Sequence, residues 1–133
     1  PISVRFGVAE FADQGVDVLE GCNAVDAFTA NAQQPLSQAC AGCHAGGVAG
    51  ATNATDMTAI NDLSIEGQAA ACGQILSRVN LLDPVNSSIF LAAEPGSALG
   101  HPYKFNNDNA AFEAYRASLI TWITAEQAAA PQQ

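Results

Sequence analysis

The chain has 133 residues, of which 27 are alanine and nine are aromatic, so it suits one domain but offers few bulky core side chains. Four basic residues against thirteen acidic ones give a net charge of −9, which disfavours partners such as nucleic acid and anionic membranes. No apolar run approaches the roughly 18 residues of a membrane-spanning segment. A large apolar group bound in the interior would supply the missing core volume.

The two ends of the chain are predicted to lie outside the folded domain. Residues 1–22 are expected to form an irregular arm, because the alternation of Ile2, Val4 and Phe6 fades within a few positions. Residues 128–133 are typical of a tail or linker. Since the chain begins with a proline, we expect it to start at a processing site or to be one module of a longer secreted protein.

Two short helices are predicted between residues 23 and 44. Asn23 is a suitable N-cap, and apolar residues follow it at helical spacing, including Phe28. Pro35 is expected to interrupt this helix, and residues 36–44 are expected to form a second short one. The second helix carries a close pair of cysteines and a histidine.

The middle of the chain alternates loops and helices. Residues 45–58 contain three glycines among small and polar residues and are predicted to be a loop. Ser64 is expected to cap the next helix, whose apolar face includes Cys72. A break at Pro84 precedes a short helix predicted over residues 87–93.

The last helix has the clearest pattern in the sequence. It follows a second predicted loop over residues 94–107, and Asp108 is expected to cap it. Its apolar residues recur at intervals of three and four, as on the buried face of an amphipathic helix. That face comprises Phe112, Tyr115, Leu119, Trp122 and Ile123. The sequence therefore predicts an all-α fold.

The motif that carries chemistry is Cys40-Ala41-Gly42-Cys43-His44, the C-x-x-C-H attachment signature of a c-type haem. Two thiols one helical turn apart reach the two vinyl groups at one porphyrin edge and form thioethers. The adjacent imidazole is then placed to bind the iron. A zinc site would need a second close ligand pair, and a thioredoxin-like redox pair would need a βαβ context. The sequence offers neither, so haem attachment is favoured over both and over a chance match.

The order of a helix, the C-x-x-C-H motif, a glycine-rich loop and an aromatic terminal helix resembles that of the small soluble class I cytochromes c. The resemblance covers residues 23–127 and implies a cytochrome c-like all-α domain around one covalent haem c. It implies that Cys40 and Cys43 form the thioethers and that His44 is the proximal iron ligand. It also implies that the first and last helices cross near the haem edge.

Two features of that family are missing from this chain. The family usually has a proline soon after the motif, whose neighbouring carbonyl accepts a hydrogen bond from the proximal histidine. Residues 45–55 contain no proline, so the partner of His44 is left open. The family also usually has Met-Pro in a late loop as the second iron ligand. Here His101-Pro102 stands in that place, and the only methionine, Met57, lies 13 residues after His44.

His101 is therefore predicted to be the distal iron ligand. Met57 is the alternative, and Lys104 or no protein ligand is a further one. The long stretch between His44 and His101 allows a loop to cross to the opposite haem face. Two histidine ligands predict a low-spin haem of lower potential than a histidine–methionine pair. An open sixth position would instead indicate an enzyme or a sensor of peroxide or gas.

The other two cysteines are Cys22 and Cys72. Since haem c is attached outside the bacterial cytoplasm, in an oxidising compartment, a disulfide between them is predicted. Two free thiols are the alternative.

The sequence thus predicts a periplasmic or secreted monohaem cytochrome c that transfers electrons and is not an enzyme. Its expected partners are redox proteins, with a secreted oxidative enzyme as one candidate, and neither nucleic acid binding nor membrane insertion is expected. Arg78, Lys104 and Arg116 are candidate counter-charges for the haem propionates, and Tyr103 is a candidate hydrogen-bond donor to them. The sequence shows no catalytic triad, paired carboxylates or nucleotide-binding motif.

Overall fold

The computed structural model describes residues 22–129, which contain seven α-helices and no strand. This confirms the all-α prediction for that part of the chain, while the predicted arm before Cys22 and residues 130–133 lie outside it. None of the described helices is long and apolar enough to cross a membrane. The helices are α1 (Val25–Asn31), α2 (Gln33–Ala39), α3 (Ala41–His44), α4 (Ala49–Ala54), α5 (Ile65–Leu76), α6 (Ser88–Leu91) and α7 (Asn109–Ala129). Two 3₁₀ turns cover Pro84–Asn86 and Phe105–Asn107.

The first three helices follow one another with single-residue breaks. The break between α1 and α2 falls at Ala32, so the prediction that Pro35 ends the first helix is wrong. Pro35 is the third residue of α2, where its missing N–H does little harm because the first four amides of a helix lack intrahelical acceptors. Backbone bonds from Ala32 to Phe28 and from Leu36 to Ala32 continue across the break.

The stretch predicted as a loop over residues 45–58 contains α4, so that prediction is wrong for part of its length. Three of the six residues of α4 are alanine, the strongest helix former. The turn before α4 does contain the expected glycines. Gly46 has a φ of 107°, and a Cβ on Gly47 would collide with the carbonyl oxygen of Gly42. The turn therefore folds back directly onto the C-x-x-C-H motif.

Two of the predicted helix caps are confirmed. The side chain of Ser64 accepts a hydrogen bond from the Gly67 amide at 3.0 Å at the start of α5. Asp108 accepts one from the Ala111 amide at 3.0 Å at the start of α7. Both caps satisfy amide groups that the helix itself leaves without a partner.

The core forms where α1 packs against α7. The rings of Phe28 and Trp122 are both fully buried, with centroids 5.0 Å apart and planes at 77° to each other. Such edge-to-face contacts stabilise the fold by more than the burial of the two rings alone would. All five residues of the apolar face predicted for α7 are buried, which confirms that prediction.

A buried carboxylate, that of Glu126, caps α1 from the other end of the chain. It accepts hydrogen bonds from the Asn23 amide at 2.9 and 3.1 Å and from the Ala24 amide at 2.8 Å. Trp122 Nε1 also donates to it, at 3.3 Å. The prediction that Asn23 caps α1 is wrong, because Ala24 occupies the N-cap position and no side-chain bond is made from there. Glu126 supplies that bond and so joins the start of α1 to the end of α7.

Replacing this carboxylate should destabilise the fold. We expect Glu126→Gln to lower the free energy of unfolding by about 2–3 kcal/mol. The NH₂ group of glutamine would place a donor against the backbone N–H groups that now donate to the carboxylate. Urea unfolding measures the change. Glu113→Gln is the matched control: Glu113 is an exposed carboxylate of α7 that pairs with Arg116, and we expect a loss below about 1 kcal/mol. Equal losses in the two variants would contradict a capping role.

Cys22 and Cys72 form a disulfide, with Cα atoms 6.1 Å apart, which is the pairing predicted from the sequence. The bond joins the start of the described chain to α5. Its two sulfur atoms lie 3.0 and 3.6 Å from one carboxylate oxygen of Glu126. The disulfide and the buried carboxylate therefore lie next to each other, and together they connect the start of α1 to α5 and α7.

Candidate functional site

A cavity of about 930 Å³ lies between the C-x-x-C-H motif, α4, α6 and the loop that follows α6. Small side chains make up much of its wall, so the alanine-rich composition leaves a space here instead of filling it. Among the described residues that line the cavity, Arg78 is the only one with a full charge and none is acidic. The small residues are Ala39, Gly42, Ala51, Ala54, Ala92, Ala93 and Gly100.

Both cysteines of the motif lie on the cavity wall as free thiols. Cys40 precedes α3 and Cys43 is within it, so the two are one helical turn apart, and the Cys43 amide donates to the Cys40 carbonyl at 3.2 Å. Burial raises the pKa of the Cys40 thiol to about 11, which keeps it protonated at neutral pH. Catalysts of thiol–disulfide exchange need a lowered cysteine pKa. The burial of Cys40 and its raised pKa therefore argue against a thioredoxin-like redox pair.

His44, at the end of α3, also lines the cavity. Its Nδ1 lies 2.8 Å from the carbonyl oxygen of Thr55. A carbonyl can only accept, so Nδ1 carries a proton, and in the neutral ring Nε2 then keeps a free electron pair for a metal. The carbonyl of Thr55 is the hydrogen-bond partner that the sequence left open. It was missed because Thr55 is brought to His44 by α4, which was not predicted.

His101 lies opposite in the loop after α6 and lines the same cavity. Its Nδ1 donates to the carbonyl oxygen of Tyr103 at 2.8 Å, so in the neutral ring its Nε2 also keeps a free electron pair. The rings of His44 and His101 have centroids 6.1 Å apart, and their planes differ by 4°. The structure thus brings the predicted proximal and distal residues together with parallel rings.

Met57 and Lys104, the alternative second ligands, are placed differently. Met57 lines the cavity and is buried, but its amide donates to the His44 carbonyl at 3.0 Å. The chain at Met57 therefore runs beside His44. The ammonium of Lys104 donates to the carbonyls of Ala92 and Leu99 at 3.0 and 2.6 Å, and Lys104 is not among the cavity-lining residues.

Of the other candidate side chains for an anionic group, Arg78 and Tyr103 line the cavity. Arg78 also donates to the carbonyl of Ala54. Arg116 does not line the cavity: it forms an ion pair with Glu113 at 2.7 Å on α7. Arg78 is therefore the candidate cation that is best placed to meet a negative group at the cavity wall.

The metal-ligating residues do not gather as they would in a zinc site. Within residues 22–129, the one group of three or more such side chains close enough to share an ion is Cys22, Cys72 and Glu126. The two sulfurs in that group are joined to each other, so they are not thiolate ligands. The cysteines and histidines of the cavity are spread around its wall, which argues against a mononuclear zinc centre there.

Comparisons with protein-family models, with curated proteins and with solved structures find no match to this chain. The function of the cavity therefore has to be inferred from its own residues.

Proposed function

We propose that this protein is a periplasmic or secreted electron carrier of the cytochrome c type, with one covalent haem c in the cavity. Cys40 and Cys43 hold the haem through thioethers, His44 binds the iron on one side and His101 on the other. The observation that carries the proposal is that the C-x-x-C-H motif and a second histidine with a parallel ring line one cavity.

The residues of the cavity fit this group in size and in ligand spacing. Binding pockets for small molecules and cofactors span about 300–1,000 Å³ and are mostly apolar, and this cavity has about 930 Å³. Metal–imidazole bonds of about 2.0 Å to opposite sides of one ion would put the two ring centres about 6.2 Å apart when both Nε2 atoms point at the ion. The rings of His44 and His101 are 6.1 Å apart. Their free Nε2 atoms are the donors that iron requires.

When bound, the haem supplies an iron that takes up and releases one electron. The protein orients the ligands: backbone carbonyls accept from the Nδ1–H groups of His44 and His101, which sets the planes of both rings. Two such ligands favour a low potential compared with a histidine–methionine pair. The wall around the group is mostly apolar.

The position of His101 supports a carrier over the alternative of an enzyme or sensor with an open distal site. A peroxide or gas ligand needs a vacant sixth position on the iron. The ring of His101 lies 6.1 Å from that of His44, where such a ligand would have to bind. An electron carrier needs only close approach of a redox protein, such as a secreted oxidative enzyme. The absence of acidic residues among those described around the cavity leaves a weakly charged surface for this contact. The same chemistry serves a separate carrier or a redox module of a longer secreted protein.

Covalent attachment is the decisive test. When the protein is produced in a host that matures c-type cytochromes, denaturing mass spectrometry should give the mass of the polypeptide plus one haem. The reason is that thioethers survive denaturation, whereas coordinate bonds to iron do not. The matched control is the double variant Cys40→Ala/Cys43→Ala, which should give the bare polypeptide. A bare wild-type polypeptide from such a host would rule out the proposal.

A further inference from the structure

The loop that carries His101 has little support on the N-terminal side of this residue. Residues 93–104 contain no helix, and Leu99, Gly100 and Pro102 are exposed. Apart from the bonds that the Lys104 side chain makes, residues 93–103 form only local hydrogen bonds within the described part of the chain. These bonds join positions at most three apart. Local bonding alone therefore does not tie the histidine to the rest of the fold.

The ammonium group of Lys104 supplies a connection across this loop. Its Nζ donates to the carbonyl of Ala92, where the loop begins, and to the carbonyl of Leu99, two residues before His101. One charged group thus joins the start, the middle and the end of the loop. Hydrogen bonds from a charged donor are stronger than those between neutral groups.

The backbone that follows Lys104 is held in a conformation that needs such support. Phe105, Asn106 and Asn107 have φ values of 56°, 53° and 60°, a left-handed region that residues other than glycine seldom adopt. Residues of this kind persist only where their surroundings hold them. The ring of Phe105 packs against that of Tyr103, with centroids 5.1 Å apart, and this fixes the C-terminal side of the loop. Lys104 fixes the other side.

We propose that Lys104 is a positioning residue whose ammonium keeps the loop closed, so that His101 stays on the iron and small ligands reach the iron slowly. This inference rests on the proposed function. Lys104 does not line the cavity, so it acts through His101. Carbon monoxide binds reduced haem iron only when the sixth position is open, and its binding rate therefore follows the rate at which the histidine leaves.

The test is the rate of carbon monoxide binding to the reduced, haem-loaded variant Lys104→Met. Methionine keeps most of the length but has neither charge nor donors, so we expect binding at least about tenfold faster than in wild type. Lys104→Arg keeps both the charge and the donors and should stay within about threefold of wild type. Arg116→Met removes a cation of α7 that lies outside the cavity, and it should leave the rate unchanged.

Two further measurements separate positioning from a general loss of stability. In a His101→Ala background, adding Lys104→Met should not change the rate again, because the histidine through which Lys104 acts is gone. Hydrogen exchange of the amides of Ser97 and Leu99, which donate to the Glu94 carbonyl and the Ser97 hydroxyl, should be at least about tenfold faster in haem-loaded Lys104→Met, and unchanged in Arg116→Met.

The outcomes distinguish this inference from the proposed function. If His101→Ala accelerates carbon monoxide binding and Lys104→Met does not, the inference fails alone. If His101→Ala leaves the rate unchanged, His101 is not the sixth ligand and both proposals on this residue fail. Should Lys104→Met not fold, Lys104→Gln, which is neutral and shorter, replaces it with the same criteria.

Discussion

Under the proposed function, His101→Ala is expected to give a high-spin haem protein that binds carbon monoxide readily, in place of a low-spin, six-coordinate one. The variant removes the imidazole that faces His44 at 6.1 Å and leaves the C-x-x-C-H motif and the Thr55 carbonyl in place. The covalent haem should therefore be retained while the sixth ligand is lost. Absorbance spectra of the oxidised and reduced protein, with and without carbon monoxide, report the change.

The companion variant His101→Met separates the loss of a ligand from a change of ligand. A thioether can still bind iron, so this variant should stay low-spin. Its potential should rise by on the order of 100 mV, since axial ligand identity moves haem potentials over roughly 0.8 V. Redox titration followed by absorbance measures the shift. A fall in potential would contradict the bis-histidine assignment.

Met57→Leu is the matched control, because Met57 also lines the cavity but runs beside His44. Its spectrum should match that of the wild type. A high-spin spectrum in Met57→Leu, together with an unchanged one in His101→Ala, would transfer the role of sixth ligand to Met57.

Since the two imidazole planes differ by 4°, the oxidised wild-type protein should also give a rhombic low-spin electron paramagnetic resonance spectrum.

The parts of the fold that local spacing determines could be predicted from the sequence. The apolar face of α7 follows from the 3.6-residue period, and all five of its predicted residues are buried. The caps at Ser64 and Asp108 follow from side chains that reach the amide three residues ahead. In each case the interacting groups lie within a few positions of one another, so the sequence contains the whole interaction.

Contacts between segments that are distant in the sequence could not be predicted from local spacing. The carboxylate of Glu126 bonds to the amides of Asn23 and Ala24, which lie more than 100 positions earlier in the chain. One signal was present: Glu126 continues the series Leu119, Trp122 and Ile123 on the buried face of α7. A lone carboxylate on such a face needs a partner, and the partner could not be named before the packing of α1 against α7 was known.

The residues of the candidate site also fall into those that local spacing predicts and those that only the fold brings together. The spacing within C-x-x-C-H indicates the chemistry of Cys40, Cys43 and His44, whereas the parallel orientation of His101 depends on how its loop folds. The partner of His44 was not predictable, because Thr55 reaches it through α4, a helix formed where glycines and small polar residues favoured a loop. Lys104 was weighed only as a ligand or counter-charge, and its bonds to two carbonyls of the loop emerge from the structure.

Removal of the Cys22–Cys72 disulfide should have the largest effect on stability. The bond spans a sequence separation of 50 residues, and closing a loop of this length is worth about 4 kcal/mol in the chain-entropy model. We expect Cys22→Ala/Cys72→Ala to lower the free energy of unfolding of the haem-loaded protein by about that amount, as measured by denaturant titration. Neither cysteine lines the cavity, so the haem spectrum should not change.

A serine pair at the same positions tests whether the neighbouring carboxylate contributes. The two sulfurs lie 3.0 and 3.6 Å from one oxygen of Glu126, so serine hydroxyls at these positions can donate to a buried anion, and alanine cannot. Cys22→Ser/Cys72→Ser should therefore be more stable than the alanine pair, by about 1 kcal/mol. In a Glu126→Gln background this difference should shrink. A loss below about 1 kcal/mol in the alanine pair would mean that the fold does not depend on the disulfide, and that the packing of Phe28 against Trp122 holds α1 to α7 without it.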